Sequence, residues 1–264
     1  MAASTAERLS GEVLREGADL NADPSWRNLY RIGVVSAGLS VLLIIVPIVL
    51  VFTVPQPPFA GGAEVLRYIA SNKPVYLIEF VSFVGLGLPA LVVFLALYAA
   101  LKHLDKSFTA LGAMIGIASE IMALAYNSSP PSLNGGLLYL SDQYTAAATD
   151  AQRASLASAA ESLMAVSNTP VNAIGILTAL GILLISLPML RGVFSRGVAY
   201  LGIATGVVGI VCEPLRDLIG PAYFVYGLLL PAWFIAVGWK LYRLGSSSPQ
   251  VSIVGRTVAV AGQS

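Results

Sequence analysis

Long uninterrupted apolar runs dominate this chain, and its polar residues gather in the segments between them. Six runs, at 32–54, 75–101, 107–127, 163–190, 198–220 and 221–242, reach the length of about 20 residues that a helix needs to cross a hydrocarbon core. The pattern predicts an all-α polytopic membrane bundle of six transmembrane helices, with both termini on one side. Residues 27–244 form the membrane domain, and 1–26 and 245–264 are left as tails. In the first tail, Ser4 and Glu7 have capping-box spacing ahead of an amphipathic stretch with Leu9, Val13 and Leu14, which reads as a surface helix or loose tail rather than a partner-binding element. Two connections on the opposite side are long. The one at 56–74 opens with Pro-Gln-Pro-Pro and predicts a short amphipathic helix over 64–71 carrying Val65, Leu66, Tyr68 and Ile69. The one at 128–162 opens with Ser-Ser-Pro-Pro, passes Asn-Gly-Gly and continues as an Ala-rich segment at 150–162. These two segments are expected to cap the bundle from outside, where long structured loops more often carry function than short turns do.

Composition agrees with a membrane protein. The 264 residues are 56% hydrophobic and only 11% charged, against roughly 25% charged in a soluble domain. Lys and Arg decide the orientation, because cytoplasmic loops carry the positive excess. Arg8, Arg15, Arg27, Arg31, Lys102, Lys106, Arg191, Arg196, Lys240, Arg243 and Arg256 fall on the side of the termini, and only Arg67, Lys73 and Arg153 on the other. Both termini are therefore expected to be cytoplasmic. Trp26, Tyr30, Tyr98, Tyr200, Trp239 and Tyr242 then mark the inner interface, and Tyr76, Tyr126, Tyr223 and Tyr226 the outer one. The first 25 residues hold no short apolar core with a cleavage site, so the first span reads as an uncleaved anchor. A net charge of +1 offers nothing to nucleic acid. The single cysteine, Cys212, excludes an intrachain disulfide, and the single histidine, His103, lies in a short cytoplasmic turn. Zinc chemistry needs several converging nitrogen or sulfur ligands, so neither a metal nor a cofactor is expected.

Four acidic residues change the picture: Glu79, Glu120, Glu213 and Asp217 lie inside the apolar runs. An ionised side chain in hydrocarbon costs several kcal/mol, so such residues face a bundle interior or wet cavity and mark sites. At ~1.5 Å per residue, Glu120 and Glu213 lie about 20 Å and 22 Å from the cytoplasmic starts of their spans, and Glu79 about 6 Å from the outer end of its own. All therefore belong to the outer half. Positions three, four or seven apart share a helix face, which groups Glu120 with Gly116 and Asn127, Asn168 with Asn172 and Gly175, and Glu213 with Arg216 and Asp217. The expected result is one pocket opening outward. Asn127, Asn168, Asn172 and Arg216 are its candidate polar contacts, and Tyr76, Phe80, Phe83, Tyr126, Tyr223 and Tyr226 its candidate aromatic walls.

Four carboxyl groups and one guanidinium would carry a net charge of −3 if all were ionised. In a low dielectric that is unfavourable, so at least one acid keeps its proton or a cation binds. Arg216 is the expected partner of Glu213 or Asp217, which leaves Glu79 and Glu120 as the proton carriers. A carboxyl group of that kind serves as a general acid. The alternative is a buried ion-pair network that only fixes helix register, but four acids against one base neutralise poorly. Pro214 is expected to kink the fifth span beside Glu213. Gly112-x-x-x-Gly116 and Gly202-x-x-x-Gly206 are expected to let helices approach closely within the bundle.

Several stretches carry a resemblance. The Arg-initiated first span, the outer segment Gly62-Ala63-Glu64-Val65-Leu66-Arg67-Tyr68-Ile69, the junction Leu95-Ala96-Leu97-Tyr98-Ala99-Ala100-Leu101-Lys102 and the stretch Arg196-Gly197-Val198-Ala199-Tyr200-Leu201-Gly202 resemble a family of uncharacterised bacterial six-span membrane proteins, over roughly residues 27–243. That resemblance implies a bacterial plasma membrane and brings no activity with it. The layout of acids and aromatic walls is also similar to that of integral-membrane terpene cyclases, whose carboxyl groups protonate an isoprenoid while aromatic walls steady the cation. Only the layout is shared. The Asp-rich metal motifs of prenyltransferases are absent, which argues against a magnesium-diphosphate site.

Taken together, the residues favour an intramembrane enzyme, a cyclase, isomerase or lyase, that uses Glu79, Glu120, Glu213 or Asp217 as acid or base. Its substrate and partner would be a membrane lipid or lipophilic small molecule, for example an isoprenoid. A proton- or cation-coupled transporter is the first alternative, since intramembrane acids also relay protons, although inverted repeats and paired broken helices are not seen. A non-catalytic membrane partner or sensor is the second.

Overall fold

A computed structural model of the protein describes residues 24–58, 61–126, 131–191 and 194–246. The amphipathic stretch after Ser4, the C-terminal tail from 247 onward and Asn127 lie outside the described residues, as do the side chains of Asp217 and Pro221. Among the described residues the chain is all-α. Its helices are α1 (Arg27–Thr53), α2 (Gly62–Ser71), α3 (Lys73–Leu101), α4 (Lys106–Tyr126), α5 (Gly135–Ala146), α6 (Asp150–Met189), α7 (Arg196–Cys212), the single turn α8 (Arg216–Ile219) and α9 (Phe224–Ser246). Short 3-10 turns at Pro24–Trp26 and Gly220–Tyr223 precede α1 and α9.

Five helices, α1, α3, α4, α6 and α9, are long and apolar enough to cross a membrane, and α7 is a shorter apolar helix of 17 residues. Their faces are arranged for lipid. In α1 the small residues Gly33, Ser36, Ala37 and Ser40 turn inward, whereas Ile32, Val35, Leu39 and Leu42 are exposed. That distribution is costly in water and favourable in hydrocarbon, where small residues let backbones approach and large apolar ones meet the acyl chains. The chain is an integral membrane protein.

The six apolar helices close into a ring in chain order, α1 on α3, α3 on α4, α4 on α6, α6 on α7, α7 on α9 and α9 back on α1. Helices α2 and α5 stand outside the ring and pack on each other and on α6, so one end of the bundle is capped. Two clusters fill the interior. Phe94, Ile182, Ile185, Trp233 and Phe234 belong to the larger one, with the Phe94 and Trp233 rings 6.1 Å apart. At the capped end Val65, Leu66, Ile69, Tyr76, Leu133, Leu137, Ala160 and Met164 form the other.

Glycines set the closest crossings. A Cβ on Gly181 of α6 would lie 2.8 Å from both the Cα and the backbone nitrogen of Gly116, and one on Gly112 would lie 2.6 Å from the backbone nitrogen of Ile185. The Gly112-x-x-x-Gly116 pair therefore packs inside the bundle, against α6. Gly206 does the same against Leu183 and Ala179.

Expected ends of the first, second, third and sixth spans lie within about five residues of the helices that form, because charged residues or prolines bound those runs. Three expectations are corrected. The run at 163–190 is the second half of a single 40-residue helix that starts at Asp150. Thr149 and Gln152 form a capping box there, with the Thr149 Oγ1 accepting from the Gln152 backbone at 3.2 Å. At ~1.5 Å per residue α6 is about 60 Å long, twice a hydrocarbon core of about 30 Å, so its first half rises beyond the core and holds α2 and α5. Within the 128–162 connection the Asn-Gly-Gly sequence starts α5, because the Asn134 side chain accepts a hydrogen bond from the Gly136 backbone at 2.8 Å.

Second, the run at 198–220 is not one helix. The last regular bond of α7 joins the Glu213 nitrogen to the Gly209 carbonyl at 2.9 Å. Pro214 has no N–H to continue the ladder, and it ends the helix instead of kinking it. The chain resumes as α8, then turns at Gly220, whose φ of +50° suits glycine. Finally, the aromatic belts are thinner than expected. Tyr126, Tyr200, Trp239 and Tyr242 are exposed as belt residues should be, but Tyr30, Tyr76 and Tyr226 are buried in the bundle.

Candidate functional site

The break after α7 determines the shape of the site. Glu213 ends that helix and is 3% exposed. Its carboxyl group rests on α6 at Gly175, where a Cβ would stand 2.2 Å from the Glu213 Cδ. Only glycine leaves room. The turn through Pro214 and Leu215 brings Arg216 back over the same carboxylate: Nη2 donates to Glu213 Oε2 at 2.5 Å and to the Tyr223 hydroxyl at 2.9 Å. Tyr223 in turn donates to Glu213 Oε1 at 2.8 Å, and its ring centre lies 4.8 Å from the guanidinium carbon, within cation–π range. Both carboxylate oxygens thus have a partner, one of them charged.

Glu120, 5% exposed on α4, is treated differently. Its Oε1 accepts only a long 3.5 Å contact from the Thr178 hydroxyl of α6. Thr178 and Ser119 share a close hydrogen bond, and Ser119 donates to the Ile174 carbonyl at 3.3 Å. Among the described residues no cation forms an ion pair with Glu120. The two acids therefore meet α6 within one turn and a half, at 174–178, from the α4 and α7 sides. Tyr226 of α9 completes the group. It is 3% exposed and packs edge-on against Tyr223 with ring centres 5.8 Å apart.

Glu79 belongs to another level. Gly87 marks the height of Glu120 on α3, since a Cβ there would lie 2.8 Å from the Glu120 carbonyl oxygen. Eight residues earlier, or about 12 Å along the axis, Glu79 sits under the cap, 2% exposed, with Oε2 buried and without a partner among the described residues. Burial lifts the phenol of Tyr68, on α2 above it, over its ordinary range, and the Glu79 carboxylate adds to that lift. Tyr76, one turn from Glu79, ties down the connection before α5: its hydroxyl donates to the Ser132 carbonyl at 2.9 Å and accepts from the Asn134 nitrogen at 2.8 Å.

Of the residues singled out from the sequence, the structure gathers Glu120, Glu213, Arg216, Tyr223 and Tyr226 into one centre. It places Glu79 and Tyr76 in the cap layer, and Phe80, half-buried, against Gly135 of α5. Asn172 is half-buried on α6, and Asn168 and Tyr126 are exposed. Asp217 lies in α8, next to Arg216. The sequence reading missed Ser119 and Thr178 as partners of Glu120, although Ser119 adjoins it. Gly175 was visible only as a neighbour of Asn172 on one face, and its function as the seat of Glu213 depends on another helix.

No protein-family model matches the chain, and neither a curated protein nor a solved structure matches it.

Proposed function

We propose that this protein is a six-span membrane enzyme that performs acid–base chemistry on a lipophilic substrate, with Glu120 as the proton-transferring group and the Glu213–Arg216–Tyr223 unit as the part that orients the substrate. The observation that supports this most is the contrast between two equally buried acids. Glu213 is matched by a guanidinium at 2.5 Å, whereas Glu120 has one long contact from a neutral hydroxyl. A buried carboxyl group without a charged partner contributes little to stability and is suited to giving and taking a proton. Glu79, also a candidate by sequence, lies in the cap layer and outside this centre. The reaction class fits a cyclase, isomerase or lyase, since the centre offers proton transfer and hydrogen bonds.

The interior beyond the site favours an enzyme over a transporter. Toward the uncapped end, Phe94, Trp233, Ile182 and Ile185 pack on the bundle axis, and the Phe94 ring lies against Gly116. Transport needs access from both sides. In membranes from cells expressing the protein, incubation with total lipid extract and with isoprenoid alcohols should give products detectable by mass spectrometry. The Glu120→Gln variant should lose that conversion by about 100-fold or more, the usual weight of a general acid or base. Equal conversion by wild type and variant would remove Glu120 from the mechanism, and acid-driven ion flux in proteoliposomes would favour the transporter.

Six crossings are supported by the place of α7 in the ring. Its 17 residues span about 25 Å, and the turn, α8 and the 3-10 segment complete the passage. The excess of Lys and Arg at the uncapped end supports cytoplasmic termini, with the cap outside a bacterial plasma membrane. In a Cys212→Ser background, Thr145→Cys on α5 should react with an impermeant maleimide in intact cells, and Ser107→Cys, at the start of α4, only after lysis. Both positions are exposed. The opposite labelling would invert the topology.

A further inference from the structure

Two donors of the centre are unspent. The guanidinium of Arg216 carries N–H groups on three nitrogens, yet only Nη2 is engaged, by Glu213 and Tyr223. Its Nε is buried and has no hydrogen-bond partner among the described residues. The Tyr226 hydroxyl, on a side chain 3% exposed, forms no hydrogen bond with a described residue, although the oxygen itself is not fully buried. Because Tyr226 packs edge-on against the ring that carries the guanidinium, both donors belong to one centre. Buried donors are almost always satisfied, so the open Arg216 Nε calls for an acceptor from outside the chain, and the free Tyr226 hydroxyl of the same centre can share it.

The break after α7 supplies a way in. Where a continuous helix would close the wall, the chain makes a turn, and Val211, Leu215, Leu218 and Val225 are exposed beside it, Leu218 at 82%. The side chain of Arg216 is 19% exposed at that break. An apolar chain can lie on these residues while its polar end reaches the guanidinium.

Charge selects the polar end. Glu213 and Arg216 already neutralise each other, so an incoming anion would sit beside Glu213 and face Glu120, and an incoming cation would meet Arg216 at close range. A neutral acceptor meets neither penalty. Resting on the function proposed above, which puts the substrate on the Glu120 side, we propose that this centre binds a neutral lipid by a carbonyl-type oxygen. That oxygen accepts from Arg216 Nε–H and Tyr226 O–H through its two lone pairs, and the hydrocarbon chain leaves through the gap beside Leu215 and Leu218.

The test uses the full-length protein in nanodiscs, photolabelled with a diazirine-bearing alkyl methyl ketone in competition with methyl dodecyl ketone, dodecanoate, dodecylammonium or dodecane. The ketone should compete about tenfold better than any of the other three, the weight of one charge-assisted hydrogen bond. Arg216→Lys keeps the charge beside Glu213 but lacks Nε–H, and Tyr226→Phe lacks only the hydroxyl. Each should weaken ketone competition about tenfold and leave dodecane unchanged. Glu120→Gln should bind the ketone as the wild type does while failing to convert lipid, which separates loss of binding from loss of reaction. Competition by dodecanoate equal to that by the ketone, or ketone binding unchanged in both Arg216→Lys and Tyr226→Phe, would overturn the proposal.

Discussion

Arg216→Met should destabilise the bundle by about 3–5 kcal/mol, because removing one partner of a buried pair leaves the other charge uncompensated. Glu213, 3% exposed against Gly175, has no route to water without pulling α7 from α6. Tyr223 remains as a hydrogen-bond donor at 2.8 Å, but a neutral hydroxyl does not replace the charge. The double variant Glu213→Met with Arg216→Met should recover most of the loss, since replacing both members of a buried pair by apolar groups of similar size is often close to neutral. It should not recover everything, because the Tyr223 hydroxyl loses both partners. Thermal unfolding of the detergent-solubilised protein reads the three cases directly. If Arg216→Met unfolds no earlier than the double variant, Glu213 does not carry the charge that this geometry assigns to it.

Glu120→Gln, by comparison, should leave stability within about 1 kcal/mol of wild type, the usual range for one hydrogen bond. The amide oxygen still accepts from Thr178, and there is no ion pair to break. The two acids should therefore separate under mutation: one holds the structure, and the other, on the function proposed above, is left for chemistry. The sequence already contained half of that distinction. Glu213 and Arg216 stand three apart, a spacing that already made Glu213 one of two expected partners of Arg216, although the pair forms across the turn at Pro214 and not on one helical face. Glu120 has no basic residue at such a distance.

What the sequence did not contain is the contribution of other helices. Gly175 as the seat of Glu213, and Thr178 as the neighbour of Glu120, depend on how α6 lies against α4 and α7, and one chain without partners for comparison does not encode contacts locally. Hydroxyl residues inside apolar runs are also silent, because Ser and Thr can satisfy themselves on their own helix backbone; Ser167 and Thr205 do so, but Ser119 does not. The ends of α1, α3 and α4 were legible because charged residues and prolines mark them. The start of α6 was not, since its Ala- and Ser-rich first half is a good helix but a poor membrane span, and hydropathy reports only the second property. Tyr76 shows the same limit at one residue. An aromatic near a polar cluster reads as a wall, and only its hydrogen bonds to the connection before α5 identify it as a tether.

Gly181→Val should cost at least about 1–3 kcal/mol, the usual penalty for overpacking, and more if the backbones cannot move apart. The first added atom would lie 2.8 Å from the Cα and nitrogen of Gly116 and 3.1 Å from the Gly112 carbonyl oxygen. All three are backbone atoms, so no rotamer change relieves the contact and α4 must separate from α6. That separation reaches the site. Thr178 lies three residues from Gly181, and Glu120 four residues from Gly116, so the 3.5 Å contact between them is the first polar link to open. Gly181→Val should therefore lower both the unfolding temperature and the proposed lipid conversion, although it touches no ionisable group. Gly38→Ala is the control: nothing lies within 4 Å of its added Cβ, and removing a mid-helix glycine should leave stability unchanged or raise it by up to about 1 kcal/mol. Fluorescence-detected gel filtration after a heating series compares the two, and a Gly181→Val protein that survives to the temperature of Gly38→Ala would show that the α4–α6 crossing is looser than its glycines imply.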